Sequence, residues 1–253
     1  MSEPPQFRLT NVSFGYSGSP NPTIKSLSLS INQGERIAFL GESGCGKTTL
    51  LKLLQGGLSA TEGEVRSLGQ DPKSISPRNF RALQANIGFI WQDHGLVSNL
   101  RVGQSVIAGR MGKQSYLRSL RSFFFPTEEE RGEISYLLQQ LKLKCNFDDF
   151  VDSLSLGQQQ RIAIARSLYQ RPVAIMADEP IASLDPRTSV DILNLFMDLS
   201  IRNRFTFCIA LHQVEWVCIP GLFTRVIGIR DGKIVFDRSP DNFFATDQEL
   251  LYG

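Results

Sequence analysis

Residues 36–49 read RIAFLGESGCGKTT, and this stretch decides the fold. Arg36 to Leu40 is an apolar run of strand length, and LLKLL at 50–54 follows it with the look of a helix. Between them, Gly41, Gly46, Lys47 and Thr48 stand at the spacing of a phosphate-binding loop, in the strand-to-helix context that motif requires. Gly41, Gly44 and Gly46 let the backbone curl, so that N–H groups from Glu42, Ser43, Gly44, Cys45 and onward to Thr49 converge on one concavity. The helix N-terminus adds partial positive charge there. Lys47 is suited to neutralise the β- and γ-phosphates of a nucleoside triphosphate, and Thr48 to ligate Mg²⁺. Cys45 reads as a small tolerated side chain.

Further along, Val173 to Ala177 (VAIMA) and Phe205 to Leu211 (FTFCIAL) are continuous apolar runs of the kind found in parallel strands buried on both faces. The first ends in Asp178-Glu179-Pro180, which puts two carboxylates at the open edge of the sheet, where α/β proteins bind ligands. Asp178 is suited to Mg²⁺, and Glu179 to polarising an attacking water as general base. His212 follows the second run. Upstream, Ser26 to Ile31 alternates strictly between polar and apolar, a half-buried strand, and Asn32 to Glu35 supplies a turn. Asp231-Gly232 inside Val226 to Asp237 predicts a hairpin. The stretch from Thr127 to Leu143 predicts a helix, with Thr127 as N-cap, acids in the first turn and a stripe at Ile134, Leu137, Leu138 and Leu141. These readings give an α/β core, an antiparallel N-terminal portion and a helical insert around residues 93 to 165.

Composition excludes several classes. A chain of 253 residues with 42% hydrophobic and 21% charged residues is an ordinary globular protein, and a net charge of +2 is too mild to argue for nucleic acid. The cysteines at 45, 145, 208 and 218 have no metal-ligand spacing and read as reduced thiols. MSEPPQFRLT lacks the pattern of a signal peptide, and no apolar run approaches membrane-spanning length, so membrane association is expected to go through a partner.

Residues 153–161, SLSLGQQQR, hold no acid, base or metal ligand. Ser155 is a good N-cap, and a helix beginning near Gly157 with a stripe at Ile162, Ala165 and Leu168 would run until Pro172. Such an N-terminus is a phosphate site.

With these segments in order, the chain resembles the ATP-binding subunits of ABC transporters over nearly its whole length. Leu154-Ser155-Leu156-Gly157-Gln158 looks like the family signature, with Ser155, Gly157 and Gln158 retained and Leu156 at its variable position. Gln92 matches the glutamine that senses Mg²⁺ and contacts the transport subunit. Ser183-Leu184-Asp185 resembles the loop that crosses the dimer interface, His212 the histidine at the γ-phosphate, and Tyr16 the aromatic that stacks on adenine. The resemblance implies a P-loop NTPase core with a mainly parallel sheet, an antiparallel β portion and a helical subdomain. The division expected is 1–92 with 166–253 against 93–165.

It further implies ATP and Mg²⁺ as ligands, with Glu179, His212 and Gln92 catalytic and Thr48, Gln92 and Asp178 on the metal. A head-to-tail homodimer, two transmembrane permease subunits, indirect work with a periplasmic solute-binding protein, and a peripheral place on the cytoplasmic face of the inner membrane follow from the same likeness. Residues 87–131, ALHQVEW at 210–216 and the final ELLYG resemble the phosphonate-import branch, with phosphate, phosphite or another oxyanion, or a lipoprotein-release machine, as alternatives. A nucleotide-binding scaffold without turnover is a further alternative, raised by Leu156. A bulky residue there would disfavour closure if the position needed left-handed backbone; the reading adopted is that Leu156 points away from the nucleotide. His94, outside every motif, is expected at the surface, and Trp91 and Trp216 in the core or an interface.

Overall fold

The computed structural model describes residues 4–182 and 184–252. Ser183 therefore lies outside the described residues. Two sheets organise the chain. Strands β1 (Phe7–Phe14) and β2 (Ile24–Ile31) pair antiparallel, and the helix that follows β3 (Arg36–Leu40), α1 (Lys47–Gln55), leads into β4 (Glu62–Ser67), which completes a three-stranded sheet ordered β2-β1-β4. The helix α2 (Pro77–Gln84) precedes β5 (Ile87–Ile90). A helical stretch follows: α3 (Val102–Ala108), α4 (Tyr116–Phe124), α5 (Glu128–Gln140) and α6 (Leu156–Tyr169). The chain then returns through β6 (Ala174–Asp178), α7 (Pro186–Asn203), β7 (Thr206–Leu211), β8 (Arg225–Arg230), β9 (Lys233–Arg238) and α8 (Ala245–Tyr252).

The larger sheet has six strands in the order β5-β6-β7-β3-β8-β9, parallel except for the β8–β9 hairpin. That hairpin turns on Asp231 (φ 51°) and Gly232 (φ 77°), both in the left-handed region that a two-residue turn of matching twist requires. Period-2 alternation divides the core. Ala38, Leu40, Ile175, Ala177, Phe207 and Ile209 face the layer built with α3, α5, α6 and α7, whereas Ile37, Phe39, Ala174, Met176 and Cys208 face α1 and the antiparallel sheet. A sheet buried on both faces explains why these strands are apolar without interruption. Helix α1 anchors the loop before it: Leu50, Leu51, Leu53 and Leu54 are fully buried, each worth about 1.5–3 kcal/mol.

Register sets the site. Ile90 pairs with Ala177, Asp178 with Ala210, and Leu40 with Leu211. Four neighbouring parallel strands therefore end within about two residues of one another, and the residues just beyond or at their ends are Gln92, Asp178 and Glu179, His212, and Gly41.

Candidate active site

The loop from Gly41 to Gly46 can exist only with its glycines. A Cβ on Gly41 would lie 2.2 Å from the Ile229 carbonyl oxygen, and Gly46 (φ 113°) would bring one within 2.8 Å of Ile24. Gly44 has open space around it but sits at φ 81°, so there the backbone rather than crowding disfavours a side chain. The curl presents Lys47, 4% exposed, at the mouth of the loop, where its Nζ donates to the carbonyls of Gly41 (2.8 Å) and Glu42 (2.9 Å). The same ammonium stands 3.4 Å from His212 Nδ1 and 3.9 Å from Glu179 Oε1.

Thr48 donates its hydroxyl to Asp178 Oδ1 at 2.9 Å. Asp178 is buried, and that burial pushes its carboxyl above the ordinary range; the Thr48 hydrogen bond opposes the rise and the Glu179 charge adds to it. Glu179 holds a left-handed backbone (φ 47°), costly for a residue with a Cβ, and its N–H donates to the Ala210 carbonyl at 3.2 Å. This kink directs its carboxylate back over the loop, against His212 Nε2 and facing Lys47. His212 Nδ1 lies 3.2 Å from the Gly41 carbonyl, so the ring spans the gap between the loop and Glu179. Tyr16 stands just past the end of β1, 45% exposed, its ring edge-on to Phe14 (4.9 Å) and its hydroxyl 3.2 Å from Thr49 Oγ1. The structure thus brings Lys47, Thr48, Asp178, Glu179 and His212 into one cluster, with Tyr16 beside the helix that leaves it.

Gln92 is exposed and lies outside that set of contacts. Its neighbour Trp91 is 37% exposed, packing on Phe89 at 4.1 Å, and Trp216 is half-buried with its indole N–H donated to Gln213. The expectation for His94 is overturned: it is buried at 8% exposure, in a left-handed turn (φ 63°), and desolvation holds its imidazole below the usual range. The reason is Arg166 of α6, which donates to the carbonyls of His94 (2.9 Å) and Gly95 and so pulls the loop after β5 onto that helix. Arg166 escaped the sequence reading; its one signal is a lone cation in the apolar run IAIARSL. Tyr252 was missed as well, and its hydroxyl donates to the carbonyl of His212 at 2.6 Å.

The segment at the start of α6 closes on itself. Ser155 caps the helix by accepting from the Gln158 N–H (3.4 Å), and Gln158 Oε1 accepts from the Ser155 N–H (2.9 Å), a reciprocal capping box. Leu156 is the first helical residue, 54% exposed, and is absent from the residues with positive φ, so the backbone objection to a leucine there falls away. Gly157 packs toward α7: a Cβ on it would lie 3.2 Å from the Thr188 methyl. Asp185, exposed, caps α7 by accepting from the Thr188 N–H at 3.0 Å, and hydrogen bonding from the Thr188 side chain first and its N–H second holds the carboxyl below the usual range. No contact joins Ser155, Gly157 or Gln158 to the Lys47 cluster among the described residues.

A family model for ABC transporters matches residues 24–182, which spans the loop, the capped serine and both carboxylates. The chain belongs to the ABC transporter family. As an ABC cassette it has the expected fold class, an α/β nucleotide-binding core with an antiparallel portion and a helical portion, and it is an ATP-hydrolysing subunit. It is 37% identical over 230 residues to a phosphonates import ATP-binding protein of Pseudomonas syringae pv. syringae (91% of this chain, 85% of that protein). With the namesake of Oceanobacillus iheyensis it shares 36% over 246 residues (97% and 94%). A third of that name, from Anaeromyxobacter dehalogenans, is 38% identical over 238 residues, and there the chain spans only 47% of its relative's length. Among solved structures the cassette is similar to a dimeric ATP-binding cassette in a post-hydrolysis state bound to ADP and Pi (TM-score 0.78, 27% identity, 94% of this chain and 100% of that one). It is also similar to cbiO1 of Clostridium perfringens, part of an ABC transporter complex (TM-score 0.79, 25% identity, 98% and 94%).

Proposed function

We propose that this cassette powers an ABC importer for phosphonates, working as a head-to-tail homodimer beneath two permease subunits that receive solute from a periplasmic binding protein. The single observation that carries the mechanism is the convergence of Lys47, Thr48, Asp178, Glu179 and His212 at the ends of neighbouring parallel strands. The phosphonate assignment is supported by the names of the relatives above, and the peripheral membrane location by that same kinship; no helix among the described residues is long and apolar enough to cross a membrane.

Each residue takes a role that its surroundings suit. Tyr16 offers a half-exposed ring for the adenine base, and the N–H groups of residues 41–49 with Lys47 hold the phosphates. A hydroxyl and a carboxylate 2.9 Å apart, at the mouth of this loop, are the hard oxygen donors that Mg²⁺ prefers, so Thr48 and Asp178, with Gln92 from the next strand, would hold it. Bound there, the metal would neutralise charge developing on the phosphoryl oxygens. Glu179 takes a proton from water as the water oxygen bonds to the γ-phosphorus and the bond to the ADP oxygen breaks. His212 keeps the Glu179 carboxylate in place from one side while Lys47 faces it from another. Ser155, Gly157 and Gln158, with Asp185, would serve the nucleotide and interface of a second copy. The division into a core (1–92, 166–253) and a helical part (93–165) belongs to this proposal; its later boundary falls inside α6, which would act as a shared rod.

Growth tests the reading. A strain lacking the gene should grow on phosphate but not on a phosphonate as sole phosphorus source, and the wild-type gene but not Glu179→Gln should restore growth. Unimpaired growth of the deletion strain on phosphonates would overturn the substrate, and a defect on phosphate alone would move it to the inorganic oxyanion.

A further inference from the structure

Helix α4 is built inside out. Its buried residues are two serines, Ser119 (8% exposed) and Ser122 (2%), whereas Leu117, Leu120 and Phe124, spaced i, i+3, i+7, stand 77%, 44% and 57% exposed. Tyr116 (74%) and Phe125 (77%) extend the apolar face at both ends. Polar partners hold this orientation. Ser122 Oγ donates to Glu130 Oε1 at 2.6 Å, Arg121 pairs with the same carboxylate at 3.0 Å, and Ser119 donates to the Met111 carbonyl at 3.4 Å. Rolling the apolar stripe inward would take Ser122 and Arg121 away from the buried Glu130 carboxylate and leave it without those partners. A contiguous outward stripe of this kind marks a surface that something covers.

Charge identifies the covering. Between Asp93 and Glu128 the chain has no acid and five cations, Arg101, Arg110, Lys113, Arg118 and Arg121. The remaining residues hold 22 cations (27 less 5) against all 25 acids, so the excess of positive charge lies wholly in this segment. Carboxylates answer Arg110 and Arg121, Lys113 donates to a neutral carbonyl, and Arg118 is exposed on α4 itself. Apolar and aromatic side chains flanked by unneutralised cations, on a short helix without acids, suit the interface of an anionic bilayer.

We propose that α4 lies against an anionic lipid surface, with Leu117, Leu120 and Phe124 at the acyl boundary, Tyr116 and Phe125 at headgroup level, and Arg118 on the lipid phosphates. This goes beyond the transport reading and depends on no transported solute.

The purified full chain should sediment with vesicles of phosphatidylcholine containing phosphatidylglycerol and not with phosphatidylcholine alone, and binding should weaken as salt rises. Arg118→Glu should lower the partition coefficient about fivefold or more, and Leu117→Ser with Phe124→Ser about tenfold or more. These residues are exposed and make no hydrogen bond, ion pair or ring contact with the nucleotide loop among the described residues, so ATP binding measured on the same samples should be unchanged and reports that the variants are folded. Failure of the wild type to sediment with anionic vesicles, or equal binding by the variants, overturns the proposal. If the same substitutions strip the chain from its permease while vesicles never bind it, the stripe is a protein dock instead. ATP hydrolysis by the variants stands apart from these outcomes, so failure of the transport reading is separately visible.

Discussion

The two regions proposed to face phosphate in this cassette are finished to different degrees. At the strand ends, groups far apart in sequence satisfy one another: Thr48 with Asp178, His212 with Glu179, Lys47 with its own loop and within 3.9 Å of Glu179. At the start of α6, the Ser155 and Gln158 side chains each bond the other's backbone N–H, the first residue is an exposed leucine, and the surface opens to solvent. One region is a site assembled within a chain. The other is a helix N-terminus whose capping box takes up the Ser155 and Gln158 N–H groups, while those of Leu156 and Gly157 find no acceptor among the described residues. That asymmetry is what a composite site shared between two copies requires.

Substitutions can break the comparison at either end. The largest effect is expected at Glu179: Glu179→Gln should lower steady-state ATP hydrolysis about a thousandfold while leaving ATP binding intact, and unchanged hydrolysis would remove Glu179 as the base. Next comes the connection between the regions. Arg166→Ala removes two charge-assisted bonds to the loop after β5, so the thermal midpoint should fall by the equivalent of about 2 kcal/mol, and permease-stimulated turnover should drop several-fold more than basal turnover.

Asp178 supplies a pH test. Its native carboxyl is raised by burial, so the folded state holds that proton more tightly than the unfolded chain and loses stability as pH climbs through the raised value. Asp178→Asn keeps an acceptor for Thr48 without the buried charge. It should therefore melt higher than wild type at neutral pH, with the gain shrinking as pH falls below the carboxylate range. The smallest effect belongs to Leu156→Gly, which should alter turnover less than about twofold, because the position is helical and outward-facing.

The phosphate loop, the strand-end acids and the β8–β9 hairpin were legible because each is local: a glycine spacing, an apolar run, a turn dipeptide whose two residues both need positive φ. The capped helix at Thr127 was legible for the same reason, although its reciprocal bond to Glu130 was not anticipated. What escaped depended on long-range packing. His94 is buried by an arginine 72 residues away, and Tyr252 reaches His212 across 40 residues. The orientation of α4 escaped too, since a stripe at 117, 120 and 124 in isolation reads as a core face; the polar contacts of Ser119, Arg121 and Ser122 turn it outward. Leu156 was resolved in the opposite direction, from a conformational doubt to an ordinary first helical residue.

The most direct test of the asymmetry is whether one chain needs another's capped helix. In a Glu179→Gln background, light scattering should find monomer without nucleotide and dimer with ATP. Adding Gly157→Asp, which crowds Thr188 and sets a carboxylate at the helix N-terminus, should leave ATP bound to a monomer and abolish turnover in the otherwise wild-type chain. An ATP-bound Gly157→Asp dimer as stable as its parent would show that the start of α6 does not meet the partner's nucleotide, and would contradict the account.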